Sequence, residues 1–171
     1  GGVIALKIDL IDAHENVITI VETSNPLKEV EYYKTMLPDV MDWRHHVEVE
    51  TLDQAKTRYI SSAGSEFAKR RDAIRWVDGY GYDCEPGDII NFMAAFTPLL
   101  VAKAGTVLYK VWTSETEKAV VERSYEQLLE VYNTVRTEQM EAYAWYETIK
   151  ANLQAAESIE ELKQIYPLGG E

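Results

Sequence analysis

The chain contains one cysteine and three histidines, the side chains that most often serve as nucleophile and base. Cys84 lies between Asp83 and Glu85, and adjacent carboxylates disfavour the thiolate form that a nucleophilic cysteine needs. His45 and His46 are adjacent, so in a strand they point to opposite faces and cannot easily bind one metal ion together. We therefore predict no catalytic residue, and a Cys84 thiol that is buried or inert.

Acidic side chains cluster at the first predicted turn, where Asp9, Asp12, His14 and Glu15 follow one another closely. Oxygen ligands at a turn can hold calcium or magnesium, but this spacing matches no EF-hand loop. Acidic turns are most often simply solvated. We predict no metal and no cofactor, and a metal at this turn remains the alternative.

The composition argues against several classes of partner. The formal net charge is −12, which disfavours a groove that neutralises nucleic-acid phosphates and disfavours docking on an anionic membrane. No apolar run approaches the length of a membrane span, which is about 18–20 residues. The glycines at 79 and 81 form no phosphate-binding motif, and we interpret Tyr80 and Tyr82 as the core of a short ribbon. We predict no nucleic-acid and no membrane partner.

The pattern of residues predicts an α+β fold with two short β-hairpin units, packed helices and one long C-terminal helix at about 125–157. Alternating apolar residues over 4–21 predict the first hairpin, and Asn25-Pro26 starts a helix that ends before Pro38. Residues 47–49 and 57–61 are predicted as strands. The small polar residues 62–65 are predicted as a linker, which divides the chain into an N-terminal region at 1–61 and a domain at 66–168, although one continuous domain is the alternative.

The second domain has its own predicted order of elements. Residues 66–76 are predicted as a helix, 77–84 as a short strand or ribbon, and 86–101 as an apolar helix with a kink or break at Pro98. A second hairpin follows over 108–112 and 119–123. Ser124 and Gln127 form a capping box that begins the long helix, and Ser158 begins a last short helix to Tyr166.

An apolar stripe in steps of four and three runs along the long helix. A repeat of this kind keeps one side of a helix facing one partner helix. The partner is either another part of the same fold or a second subunit, and Gln139 is a candidate polar layer that sets the register. The candidate interaction seam consists of Leu128, Tyr132, Val135, Gln139, Ala142, Tyr146, Ile149 and Leu153.

Residues 69–165 resemble a family of uncharacterised domains from bacteriophage tail-fibre and tail-assembly proteins. The resemblance is carried by the order of Lys69-Arg70-Arg71, Gly79-Tyr80-Gly81-Tyr82, an apolar helix, Tyr109-Lys110-Val111-Trp112, Ser124-Tyr125-Glu126-Gln127-Leu128 and Ala155-Ala156-Glu157-Ser158. It implies a helix, strand, helix, Trp-bearing hairpin and long helix. The resemblance implies no catalytic residues in this chain.

We predict a non-enzymatic phage tail- or fibre-associated protein that acts in virion structure or assembly through protein–protein contacts. Its expected partners are other tail or virion proteins, and a homo-oligomer is possible. The expected location is the virion, or the host cytoplasm during assembly. The alternative is an acidic inhibitor that occupies the basic groove of a host nucleic-acid-binding enzyme, which the net charge of −12 favours.

Overall fold

The computed structural model describes residues 5–168. Within that range the protein has an α+β fold, with five helices and two separate antiparallel sheets. Contacts divide the chain into two compact units, Gly1–Glu50 and Thr51–Glu171. The division therefore falls between residues 50 and 51 and not at the predicted linker.

The first unit is a three-stranded sheet with one helix. The hairpin and the helix were predicted correctly, and Asn25 caps the helix through a 3.3 Å bond from the Lys28 amide. Ile4 lies outside the described residues. The strand order is β2-β1-β3. The elements are β1 (Leu6–Ile11), β2 (Val17–Thr23), α1 (Pro26–Met36) and β3 (Asp42–His45).

The core of this unit follows from the alternation of β1. Ile8 and Leu10 are fully buried with Val30 of α1 and with Val40, because alternate residues of a strand share one face. The strand predicted at 47–49 was wrong. The third strand lies earlier, at β3, and pairs with β1 from Ile8↔His45 to Ile11↔Asp42.

The second unit contains a four-stranded sheet in the order β4-β5-β6-β7 and four helices. One core lies among the sheet, α3 and the first half of α4, and a second lies among α2, the second half of α4 and α5. The elements are α2 (Leu52–Asp72), β4 (Arg75–Val77), β5 (Tyr80–Tyr82), α3 (Pro86–Ala102), β6 (Thr106–Trp112), β7 (Lys118–Ser124), α4 (Tyr125–Ala155) and α5 (Ile159–Ile165).

Helix α2 overturns three predictions. Residues 57–61 and 62–65, predicted as a strand and a linker, lie inside this helix, and the helix predicted to reach residue 76 ends at Asp72. Ala55, Tyr59 and Ala63 are fully buried at steps of four residues, so one face of α2 packs into the second core. This burial outweighs the weak helix propensity of the serines and the glycine at 61–65.

The other helices begin and end mostly where the sequence indicates. The capping box of Ser124 and Gln127 begins α4, with bonds of 3.0 and 3.3 Å. Helix α3 runs continuously through Pro98, so of the predicted kink or break the break is wrong. Proline removes the amide that would bond the Ala94 carbonyl, but Ala94 is exposed, so water can satisfy that oxygen.

Two side chains close the carboxyl end of α2, and we call this arrangement the α2 cap. The buried Arg75 guanidinium donates to the carbonyls of Arg70 (2.7 Å), Arg71 (2.9 Å) and Ala73. The Gln139 Nε2 of α4 donates to the Arg71 carbonyl at 3.0 Å. The last carbonyls of a helix have no partner within it, so these bonds fix where α2 ends.

Gly81 makes room for bulky side chains on the outer face of the second sheet. A β-carbon at this position would lie 2.9 Å from Cβ of Trp112 and 3.1 Å from both Ile74 Cγ2 and Trp76 Cε2. The absence of a side chain lets two tryptophans and an isoleucine cover the strand.

Candidate functional site: an apolar groove between two helices

The residues that the sequence singled out for chemistry lie apart or buried. Cys84 is 2% exposed and its thiol donates to the Tyr82 carbonyl at 3.3 Å. Burial raises the pKa of the Cys84 thiol, so the neutral form is favoured. This is the environment of an inert cysteine.

The acidic residues of the first turn do not converge on one point. Oδ1 of Asp12 accepts bonds from the amides of His14 (2.8 Å) and Asn16 (2.9 Å), so this carboxylate closes the turn. Among residues 5–168, no three or more His, Cys, Asp or Glu side chains are grouped to hold a metal ion.

Asp9 has different partners from Asp12. It is 5% exposed, and its carboxylate lies 2.6 Å from Nδ1 of His46 and 3.2 Å from Nε of Arg44. The hydrogen bond with His46, followed by that from Arg44, lowers the pKa of Asp9. The arrangement satisfies a buried carboxylate within the first unit.

The first part of the predicted seam faces the core beside α3. Leu128 is fully buried and Val135 is 8% exposed, and Tyr132 packs against them. The rings of Tyr132 and Phe96 lie 5.7 Å apart. These positions therefore pack against residues of the same chain.

The rest of the seam faces α2 and α5. Leu153 is fully buried, with Ile149 and Tyr146 packed around it, and Tyr146 stacks on Phe67 of α2 at 5.1 Å. Ala142 is 6% exposed. The seam therefore serves packing inside the second unit, and Gln139 belongs to the α2 cap and not to a polar layer between subunits.

An apolar groove lies between α3 and α4, and its lining on α4 includes three residues of the seam and the residues beside them. Its volume is about 380 Å³, within the range of small-molecule or side-chain binding sites. Two rim residues, Met140 and Tyr143, are 60% and 58% exposed. The groove is lined by Tyr82, Asp83, Cys84, Ile89, Phe92, Met93, Val131, Tyr132, Val135, Arg136, Gln139, Met140 and Tyr143.

The two charged residues that line the groove differ in whether they have a partner. Asp83 accepts from Nε1 of Trp112 at 2.8 Å and from Nζ of Lys118 at 2.5 Å, so its carboxylate is already paired. Arg136 is exposed, and its guanidinium makes no hydrogen bond or ion pair with any residue in the described range. The available charge of the groove is therefore positive, in a chain of net charge −12.

Tyr82 is the phenol of the groove lining nearest the sheet, and Tyr109 packs behind it outside the lining. Burial raises the pKa of Tyr109, which stacks on Tyr82, to about 12. Burial also raises the pKa of Tyr82. Both phenols stay neutral near pH 7, so Tyr82 gives the groove shape and no base.

Sequence reasoning did not predict a groove, although three residues of the predicted seam line it. Met140 and Tyr143 lie off the seam on α4, and a second apolar side on a helix indicates a second contact. Ile89, Phe92 and Met93 only meet them once the β6–β7 hairpin brings α3 beside α4. Arg136 carried no signal in the sequence.

No protein family, no curated protein and no solved structure matches this chain. Within residues 5–168, no helix is both long enough and apolar enough to cross a membrane.

Proposed function

We propose that this chain is a non-enzymatic protein of a bacteriophage tail or fibre, acting in virion structure or assembly through protein–protein contacts. The observation that carries the contact role is the apolar groove between α3 and α4. The order of motifs over residues 69–165, which resembles domains of tail-fibre and tail-assembly proteins, supports the phage assignment.

The lining of the groove suits a protein segment with an apolar anchor. Apolar side chains of both helices form its walls, and Met140 and Tyr143 extend this surface onto the rim. Interfaces gain most of their affinity where a large apolar side chain enters such a cleft and excludes water.

The charge of Arg136 indicates which charge the partner segment carries. Arg136 lines the groove and has no ion-pair partner among residues 5–168, while Asp83 is paired with Lys118. A segment with a carboxylate next to its apolar anchor would pair with Arg136 at the edge of a desolvated surface. We therefore assign to the groove an apolar partner segment that carries an acidic residue.

This partner chemistry separates the proposal from the acidic inhibitor. An inhibitor of a nucleic-acid-binding enzyme would meet a basic groove through its own carboxylates. The groove described here is apolar and has a free cation, so it selects an acidic partner.

The test uses the genes that flank the gene for this chain. Each product is purified and titrated calorimetrically against the full chain, the Arg136→Ala variant and the Met140→Glu variant. Binding of a tail or virion protein, weakened about tenfold by either substitution, supports the proposal. The control is Val120→Glu, which adds the same charge as Met140→Glu at an exposed position on β7 and leaves affinity unchanged.

Two results would overturn it. One is binding of a nuclease or polymerase that ignores both groove variants. The other is a small apolar acid that co-purifies with the chain and fills the groove, with no flanking product bound.

A further inference from the structure

A second surface of α3 has a different character from the groove. The groove uses Ile89, Phe92 and Met93, whereas an exposed stripe runs along a neighbouring side of the same helix. Ile90 and Val101 in this stripe are 70% and 81% exposed. We call Ile90, Ala94, Thr97 and Val101 the α3 stripe; all four are exposed.

The α3 stripe lies in the longest uncharged stretch of the chain. Residues 89–102 contain no charged side chain, although the whole chain carries a net charge of −12. Solvent-facing helix surfaces normally carry charged residues. Two copies of an acidic chain repel each other, and an uncharged surface is where that repulsion is least.

The spacing of the α3 stripe is the same in both directions. Its steps are four, three and four residues, so an antiparallel copy places Ile90 level with Val101 and Ala94 level with Thr97. The large side chains then meet at the ends and the small ones at the centre. Small residues at the crossing point allow two helix axes to approach to about 8 Å.

The polar groups of α3 are compatible with this pairing, provided that the Ala94 carbonyl, which has no amide partner at Pro98, keeps its water at the edge of the contact beside the exposed Pro98. The hydroxyl of Thr97 donates to the Met93 carbonyl at 2.6 Å, so it needs no partner from another molecule. Glu85 lies at the amino end of α3 and Lys103 at the carboxyl end. An antiparallel pair brings these opposite charges to the same end and opposes the two helix dipoles.

We propose that the occupant of the α3 stripe is a second copy of this chain, paired antiparallel through α3 about a twofold axis. Such a contact is isologous, since each copy presents the same self-complementary surface. Because the groove lies on another side of α3, the dimer keeps two grooves free. This inference does not depend on what the groove binds.

Sedimentation equilibrium of the full chain over a wide concentration range tests the dimer. We expect a mass of twice 19.5 kDa for the wild type at high micromolar concentration. Val101→Glu should weaken self-association by about a hundredfold or more, because the dimer would bury two carboxylates against apolar surface. Val120→Glu, the same substitution at a 61% exposed position of β7, should leave the mass unchanged.

Cysteine cross-linking tests the direction of the pair. Chains carrying Ile90→Cys and chains carrying Val101→Cys, both with Cys84→Ser, are mixed and mildly oxidised. The antiparallel pair predicts a disulfide between the two kinds of chain. It predicts little disulfide within one kind, since identical positions would lie about 16 Å apart along the axis.

Three results would overturn the inference. The first is a monomeric mass at every concentration. The second is a dimer that survives Val101→Glu, or that is lost equally in Val120→Glu. The third is cross-linking of each cysteine chain mainly with itself, which would indicate a parallel arrangement. None of these results bears on binding in the groove, so the two proposals fail separately.

Discussion

Replacing Arg75 with methionine tests how the second unit holds the end of α2. The Arg75 side chain is 4% exposed and donates to the carbonyls of Arg70, Arg71 and Ala73 and, at 2.7 Å, to the Glu138 carboxylate. Methionine keeps most of the apolar packing of the arginine stem but donates nothing.

The loss of folding free energy in Arg75→Met depends on which acceptors are left without a hydrogen bond. Glu138 is half exposed, so water replaces its bond. The Arg71 carbonyl keeps the amide of Gln139. The carbonyls of Arg70 and Ala73 lose a charged donor, at about 1.5 kcal/mol each, so we expect Arg75→Met to lower the free energy of unfolding by about 3 kcal/mol.

Gln139→Leu serves as the matched comparison. It removes one neutral bond to a carbonyl that still has Arg75, so we expect a loss of about 1 kcal/mol. Because Gln139 belongs to the α2 cap, we also expect the mass measured by light scattering to stay that of the wild type.

Urea unfolding followed by far-ultraviolet circular dichroism measures both values, with the slope checked for constancy among variants. An Arg75→Met variant within 1 kcal/mol of the wild type, or a Gln139→Leu variant as destabilised as Arg75→Met, would show that the buried guanidinium does not stabilise the end of α2.

Three further predictions concern the glycine contact, pH and the thiol. Gly81→Ala should destabilise by about 1–3 kcal/mol, since its β-carbon would lie 2.9 Å from a tryptophan Cβ. Gly87→Ala is the control: no atom of the described residues would lie within 4 Å of its β-carbon, so it should be near neutral in the same urea assay. Equal effects of the two substitutions would contradict the role of packing at Gly81. The pKa of Asp9 is lowered in the folded state, so its stabilisation is present above the unfolded pKa of about 3.9 and is lost as pH falls through the folded pKa. Thermal unfolding should therefore show Asp9→Asn less stable than the wild type at pH 7, with the gap closing in acid; a constant gap would refute this. Cys84 should react with a thiol reagent only at the rate of unfolding, and fast labelling of the native protein would show that the thiol is accessible.

Local sequence signals determined much of the fold. Both hairpins, the helix at Pro26–Met36 and the start of α4 follow from alternation, proline position and the Ser124 capping box. Each of these signals depends on residues only a few positions apart, so it can be recognised without the rest of the chain. The inert character of Cys84 was also predicted from its neighbours, and its burial agrees.

Tertiary packing decided what local signals could not. Residues 62–65 have the composition of a linker, yet they lie inside α2. Ala63 is 0% exposed because side chains distant in sequence pack against this face of the helix, and that burial stabilises the helical conformation. The 4-3 spacing of α4 predicted that one side of the helix is buried. It did not predict which element covers that side, since a stripe of this kind suits a partner in the same chain or in another chain. The groove and Arg136 depend on α3 lying beside α4, a contact between segments tens of residues apart that no local pattern encodes.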